Sequence, residues 1–300
     1  MKILLLGADG QLGWYLRAAL APLGTVTTAT RLGGPNDEGC DLADAGAVRA
    51  LLQATQPELI INAAAYTAVD AAETDADAAA ALNTRLPGVL GTVAREQGAA
   101  VIHYSTDYVF PGNRPDARTE SDPTGPLSVY GRTKYLGEQA LAESGARHLI
   151  LRTAWVYSLR GRNFLTTMLR LARERDELRV VADQHGCPTS APLLASCTAQ
   201  IAASWMRDTA PQHGLYHLTA MGSTTWHGFA EAIVARAYGM GALPRRIPVR
   251  AISTAEFPTP ATRPHWSLLD TQRVRHDFGI ALPSWEDDLA EVMAPLASGV

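Results

Sequence analysis

Short apolar runs and longer stretches of helical periodicity alternate through the first half of the chain. Residues 2–6, 26–29, 59–62, 100–105 and 148–153 are apolar segments of strand length. Residues 10–20, 45–55, 75–97 and 130–144 carry the helical pattern. Within residues 75–97 a break is expected at Leu86-Pro87-Gly88, because a proline inside a helix removes a hydrogen bond. Strand–helix–strand alternation of this kind predicts an α/β fold with a parallel sheet covered by helices on both faces. After about residue 155 the alternation loosens. Residues 164–173, 191–206, 225–238 and 285–296 read as helices, 214–218 as a strand, and the proline-rich residues 244–264 as irregular. The pattern predicts a nucleotide-binding domain over residues 1–155. Residues 156–300 would form mainly a smaller lobe, with some segments returning to the first domain and a cleft between the two.

The first strand runs directly into Gly7-Ala8-Asp9-Gly10-Gln11-Leu12-Gly13, which opens the first helix. Glycines at this spacing permit a tight turn and let backbone N–H groups approach a pyrophosphate, whose charge the helix N-terminus favours. The fold class expected is therefore a Rossmann-type doubly wound sheet with a smaller C-terminal substrate-binding lobe. Cofactor choice is made at the end of the second strand, where a carboxylate would bond a ribose 2′-hydroxyl and an arginine would accommodate a 2′-phosphate. The chain has Ala29-Thr30-Arg31 there, with no acid. That favours NADPH, with NADH as the alternative; Arg31 is either the phosphate partner or a solvated loop cation. Asp41-Leu42 follow, where an acid can approach an adenine ring. The small residues of Asn62-Ala63-Ala64-Ala65-Tyr66-Thr67 leave room for a cofactor along the strand ends.

Tyr130-Gly131-Arg132-Thr133-Lys134 follows Ser105-Thr106-Asp107 by about 25 residues. On a helix, positions four apart share a face, so the Lys134 ammonium can lie beside the Tyr130 phenol. A neighbouring cation favours the phenolate and lowers the phenol's pKa. The expectation is a phenol that protonates a carbonyl oxygen as it becomes an alkoxide, with Thr106 holding that oxygen by a hydrogen bond.

Composition narrows the field. The chain is 47% hydrophobic and 19% charged, ordinary for a globular protein, and its formal net charge of −4 comes without a basic block. Nucleic acid is thus not an expected partner. The N-terminal apolar run is too short to span a membrane and has no following cleavage site, so neither membrane nor export is expected. Cys40, Cys187 and Cys197 show no metal spacing and read as reduced thiols of the cytoplasm. His213 and His217 lie in or beside a strand and would not share a helix face, so no metal site is expected there.

Taken together these motifs resemble the extended short-chain dehydrogenase/reductases, and among them the dTDP-4-dehydrorhamnose reductase family. Further matching segments are Ser-Thr-Asp-Tyr-Val-Phe from Ser105, Leu-Arg-Thr-Ala-Trp-Val-Tyr from Leu151, Asp-Gln-His-Gly-Cys-Pro-Thr from Asp183 and Pro-Thr-Pro-Ala-Thr-Arg-Pro ending at Pro264. The resemblance implies reduction, by NADPH, of the C4 ketone of dTDP-4-dehydro-β-L-rhamnose to dTDP-L-rhamnose. That is the last step of a nucleotide-sugar pathway feeding lipopolysaccharide and O-antigen. It implies that Thr106, Tyr130 and Lys134 are catalytic, and that Gly10, Gln11, Leu12, Asp41, Leu42, Ala65, Tyr66 and Thr67 line the cofactor. It also implies that Thr106, Asp107, Tyr130 and Trp155 face the sugar, and that Asn163, Phe164 and Arg263 hold the nucleotide sugar. Trp155 is otherwise a core residue and Arg263 otherwise a surface ion pair.

The chain departs from the family at one point. Members that dimerise through a magnesium-bridged carboxylate cluster carry Glu where this chain has Tyr15 and Pro192. Magnesium takes oxygen ligands, so the expectation is a mainly monomeric protein needing no magnesium, with a metal-independent dimer left open. Two other readings stay in play. One is an epimerase or dehydratase of the same extended group, although a dehydratase usually places an acid pair beside the catalytic Thr and here Asp107 is followed by Tyr108. The other is a non-catalytic NADP-binding regulatory subunit, which would not need the Thr-Tyr-Lys set.

Overall fold

The computed structural model describes residues 1–35, 37–207 and 213–298. In chain order its first half comprises β1 (Lys2–Leu6), α1 (Gln11–Leu20), β2 (Thr25–Thr30), β3 (Asp37–Gly39), α2 (Ala45–Thr55) and β4 (Leu59–Asn62). These are followed by α3 (Ala76–Ala80), α4 (Leu86–Gln97), β5 (Ala100–Thr106), α5 (Val129–Glu143) and β6 (Arg147–Thr153). Then come β7 (Val156–Tyr157), α6 (Phe164–Glu174), β8 (Leu178–Val181), β9 (His185–Gly186), β10 (Thr189–Ser190) and α7 (Ala191–Arg207). The chain closes with β11 (Gly214–His217), β12 (Thr224–Thr225), α8 (Trp226–Gly239), β13 (Val249–Ile252), α9 (Gln272–Phe278) and α10 (Trp285–Met293).

Seven parallel strands form the main sheet in the order β11-β6-β5-β4-β1-β2-β3. The order runs outward in both directions from β1 and β4, so the crevice above their carboxyl ends is the topological switch point where such sheets bind ligands. The central strands are apolar on both faces because both are covered. Ile3, Leu5, Ile61 and Ile102 face a core shared with α1 and α7, whereas Leu4, Leu6, Ile60 and Val101 face one shared with α2 and α4. A separate core of Leu165, Phe229, Ile233, Trp285 and Leu289 unites α6, α8 and α10 in the C-terminal half. Two short strand pairs also lie there, β8 with β13 and β9 with β12.

Two sequence expectations differ from the structure. No break occurs at Leu86-Pro87-Gly88. The chain passes from α3 through a π-helical turn at Ala81–Arg85 straight into α4, with Pro87 in the first turn of α4. Proline is tolerated in a first turn, where its missing N–H leaves no intrahelical bond unmade. Residues 244–264 are not wholly irregular, because Val249–Ile252 adds to β8 in parallel. Val249-Arg250-Ala251-Ile252 is a four-residue run inside a proline-rich stretch, and its pairing is decided by a partner strand some seventy positions away.

Candidate active site

A cleft of about 880 Å³ lies above the carboxyl ends of the sheet. At one end, Gly7 adopts φ +73°, and a Cβ there would stand 2.8 Å from the Ala64 amide nitrogen. A Cβ on Gly13 would collide with the Gly7 carbonyl. The two glycines thus let α1 and the end of β4 close around a narrow groove. Gly10, the N-cap of α1, makes no side-chain capping bond, which leaves first-turn N–H groups facing the groove. Gly7, Gly10, Gln11, Leu12, Arg31, Asp41, Leu42, Ala63, Ala64, Ala65, Tyr66 and Thr67 all line the cleft, while Gly13 lies behind it. Arg31 is exposed at the rim.

The loop after β4 is held from behind by Asn83, which sits in the π-helical turn and is wholly buried. Its Oδ1 accepts from the Tyr66 N–H at 2.9 Å and its Nδ2 donates to the Tyr66 carbonyl at 3.1 Å. The extra residue of a π-turn rotates one side chain out of the helical ladder, and here that side chain clamps the loop. No local signal in the sequence marks Asn83 for this task.

Thr106 ends β5 and Tyr130 opens α5, whose N-cap Ser128 accepts from the Gly131 N–H at 3.1 Å. The two hydroxyls lie close enough for Thr106 to act on the Tyr130 phenol. Thr106 Oγ1 donates to Asp107 Oδ1 at 2.9 Å and accepts from the Tyr108 N–H at 3.2 Å. A hydroxyl has one hydrogen, and Thr106 places it on Asp107. Thr106 must exchange its bond to Asp107 before it can hold a substrate oxygen.

The electrostatics differ from the simple Tyr-Lys expectation. Protein enclosure pushes the Tyr130 phenol up to about 12, with Thr106 opposing the rise and Asp107 adding to it. Lys134 is buried at 2% exposure and donates to the Tyr104 carbonyl at 2.6 Å, with His103 Nε2 at 3.3 Å. Its charge is turned toward β5, and burial draws the ammonium down to about 8 while Glu138 opposes the fall. Asp107, buried, is pushed up to about 7 by desolvation. A phenol near 12 stays protonated at neutral pH, as a proton donor must.

The other end of the cleft is aromatic. Trp155, at φ +47°, stacks on Trp226 with ring centroids 3.6 Å apart and planes 6° from parallel, and Phe164 packs on Trp226 at 4.6 Å. Gly186 makes room for this stack, since a Cβ there would run into the Trp155 indole. Asn163 lines the cleft but spends its amide on capping α6, accepting from the Thr166 N–H at 3.2 Å and donating to the Ser158 carbonyl at 2.8 Å. Arg263 does not line the cleft. It forms a two-pronged ion pair with Asp70 at 2.8 and 3.0 Å beside Tyr108. Trp226 and Arg162 line it as well and carried no signal in the sequence that marked them, and Ser105 and Thr153, which lie within the motif segments, line it too. Buried on that lining with no hydrogen-bond partner are Gln11 Oε1, Ser105 Oγ, Thr153 Oγ1 and Trp155 Nε1. Buried polar atoms are normally paired with protein, water or a ligand.

A doubly wound parallel sheet, a glycine turn at its switch point and a Thr-Tyr-Lys set opening into the same cleft define an oxidoreductase of the short-chain dehydrogenase/reductase type. Comparison with known proteins sharpens this. The sequence matches the family model described as RmlD substrate binding domain over residues 1–298, and the chain belongs to that family. It is 46% identical to the dTDP-4-dehydrorhamnose reductase of Burkholderia thailandensis over 290 residues, and 46% identical to that of Escherichia coli K12 over 286 residues. Each alignment covers 95% of both chains. A crystal structure of the Bacillus anthracis dTDP-4-dehydrorhamnose reductase in complex with NADP superposes with a TM-score of 0.89 at 32% identity, covering 98% of this chain and 99% of that one.

Proposed function

We propose that the protein reduces the C4 ketone of dTDP-4-dehydro-β-L-rhamnose to dTDP-L-rhamnose with NADPH, the last step of dTDP-L-rhamnose synthesis. One observation carries the reading: the Thr106–Tyr130 hydroxyl pair opens into a cleft with a glycine turn at one end and an aromatic stack at the other. The names of the relatives and the NADP complex of the Bacillus anthracis structure support it.

The groove fits a dinucleotide. The Gly7 cradle would be filled by any Cβ, the N-terminus of α1 presents uncapped N–H groups, and small residues 63–65 pave the strand ends. Gly10, Gln11 and Leu12 would hold the pyrophosphate, Asp41 and Leu42 the adenine side, and Lys134 the nicotinamide ribose. Bound there, NADPH supplies the hydride that the ketone carbon accepts. Tyr130 then gives its phenolic proton to the oxygen, and Thr106, turned away from Asp107, hydrogen-bonds the same oxygen. Trp155, Trp226 and Phe164 form the apolar wall against which the nucleotide sugar lies, and Arg162 offers a cation at its edge. Arg263 acts through Asp70 and Tyr108 rather than by direct contact.

The enzyme works mainly as a monomer without magnesium. Tyr15 packs on the core between α1 and α7 where the metal-linked relatives carry Glu, and Pro192 stands in the first turn of α7. Three buried free thiols suit a reducing compartment, the cytoplasm. The test is NADPH oxidation with dTDP-4-dehydro-L-rhamnose against UDP-linked analogues, with and without EDTA. Turnover of the dTDP sugar is expected. Epimerisation with tightly held NAD, or no reaction with an intact fold, would overturn the assignment.

A further inference from the structure

Behind Lys134 lies a buried chain of side chains that the reduction does not use. Asn62 ends β4 and His103 stands opposite it on β5, both wholly buried. The Ala64 N–H donates to Asn62 Oδ1 at 3.2 Å. Only an oxygen can meet a backbone N–H, so the amide cannot be turned around. It therefore presents Nδ2, a pure donor, to His103 Nδ1 at 3.0 Å. Burial, with Lys134 and His148 nearby, holds His103 well below the usual histidine range and thus neutral. A neutral imidazole carries one N–H, and with Nδ1 accepting from Asn62 that hydrogen is on Nε2. Nε2 faces Lys134 Nζ at 3.3 Å.

The consequence falls on the lysine. A neutral amine satisfies both neighbours, donating to the Tyr104 carbonyl and accepting from His103. An ammonium has no lone pair and would meet the Nε2–H head on. We propose that Asn62 and His103 form a tautomer lock that holds a donor against Lys134 and so sets the pH at which Lys134 releases its proton. His103 is then a positioning residue for the catalytic lysine. The other charged group acting on Lys134 is Glu138, on its own helix. Glu138 is committed to Arg152 of β6 by a two-pronged pair at 2.6 and 2.8 Å. The depressed lysine agrees with the lock, although burial is its leading cause.

The test has two arms. Long-range ¹H–¹⁵N spectra of protein labelled with ¹⁵N-histidine, with His103 assigned by its loss in His103→Gln, report the tautomer directly. Nε2–H is expected, and Nδ1–H in the wild type would overturn the proposal. In Asn62→Asp the carboxylate accepts instead of donating, so the imidazole should turn to Nδ1–H and offer Nε2 to the ammonium. The alkaline limb of kcat/KM should then move up by about one pH unit. A converted tautomer with an unmoved limb would also overturn it. The kinetic arm rests on the proposed ketone reduction, whereas the spectroscopic arm does not. A wild type without reductase activity would refute that reaction and leave the wild-type and Asn62→Asp tautomers to decide the lock. If Asn62→Asp does not fold, the wild-type spectrum decides.

Discussion

Replacing Tyr130 by Phe removes a single oxygen from the centre of the site, and its cost can be worked out from the surroundings. The phenol lies near 12, so at pH 7 only about one molecule in 10⁵ lacks the proton. The wild type therefore enters each cycle with the donor loaded, and the substitution removes the whole general-acid contribution. That contribution is about 10²–10⁴-fold, equivalent to about 2.7–5.5 kcal/mol of barrier. The fold loses much less. Phe keeps the edge-to-face packing on Tyr108, whose ring centroid is 5.9 Å away, and forfeits at most one hydrogen bond of the hydroxyl. Such a bond contributes about 1 kcal/mol, or a melting shift of about 2–4 °C in a chain of this size. The assay is steady-state NADPH oxidation beside a thermal melt and a cofactor titration by fluorescence. The expected result is kcat down by two to four orders of magnitude with an almost unchanged melt and cofactor Kd. Retention of more than roughly a third of wild-type kcat, far outside the general-acid range, would refute the role given to Tyr130.

Further expectations follow from other contacts. Arg31→Asp places a carboxylate at the cleft rim and should reduce any preference for NADPH over NADH by about tenfold or more in kcat/KM; unchanged ratios would mean that Arg31 faces only solvent. Gly186→Ala drives a methyl group into the Trp155 indole, so the KM for the nucleotide sugar should rise about tenfold while that for the cofactor stays put, as initial rates at varied substrate will show. Arg152→Met strands the buried Glu138 carboxylate, a loss of about 3–5 kcal/mol visible in urea unfolding, whereas replacing both partners with apolar residues should recover most of it.

The sheet could be read from the sequence because its central strands are apolar on both faces and short, and because Gly7, Gly10 and Gly13 stand where a strand meets a helix. Tyr130 and Lys134 were legible for a similar reason: their spacing is a property of one helix. What could not be read lies in pairings across the chain. Trp226, which follows β12, and Trp155 are some seventy positions apart in the chain, and Asn83 reaches Tyr66 only because a π-turn rotates it inward. The expected lowering of the Tyr130 phenol by Lys134 shows the same limit. Helical spacing puts the two side chains on one face, but the Lys134 amine is drawn to the Tyr104 carbonyl of β5, which helical periodicity cannot supply.

The outermost strand of the sheet bears on how the chain is made. β11 closes the edge beside β6, yet some sixty residues separate them, and α7, which roofs α1, lies in that same interval. On the ribosome the first six strands can pair while β6 still exposes a row of free backbone donors and acceptors with Leu149 and Leu151 behind them. Such an edge invites pairing with a neighbouring nascent chain. Synthesis at about 5–20 residues per second leaves it open for several seconds. A chain stopped just after β6 should therefore aggregate, although every residue of the Thr-Tyr-Lys set has already been made.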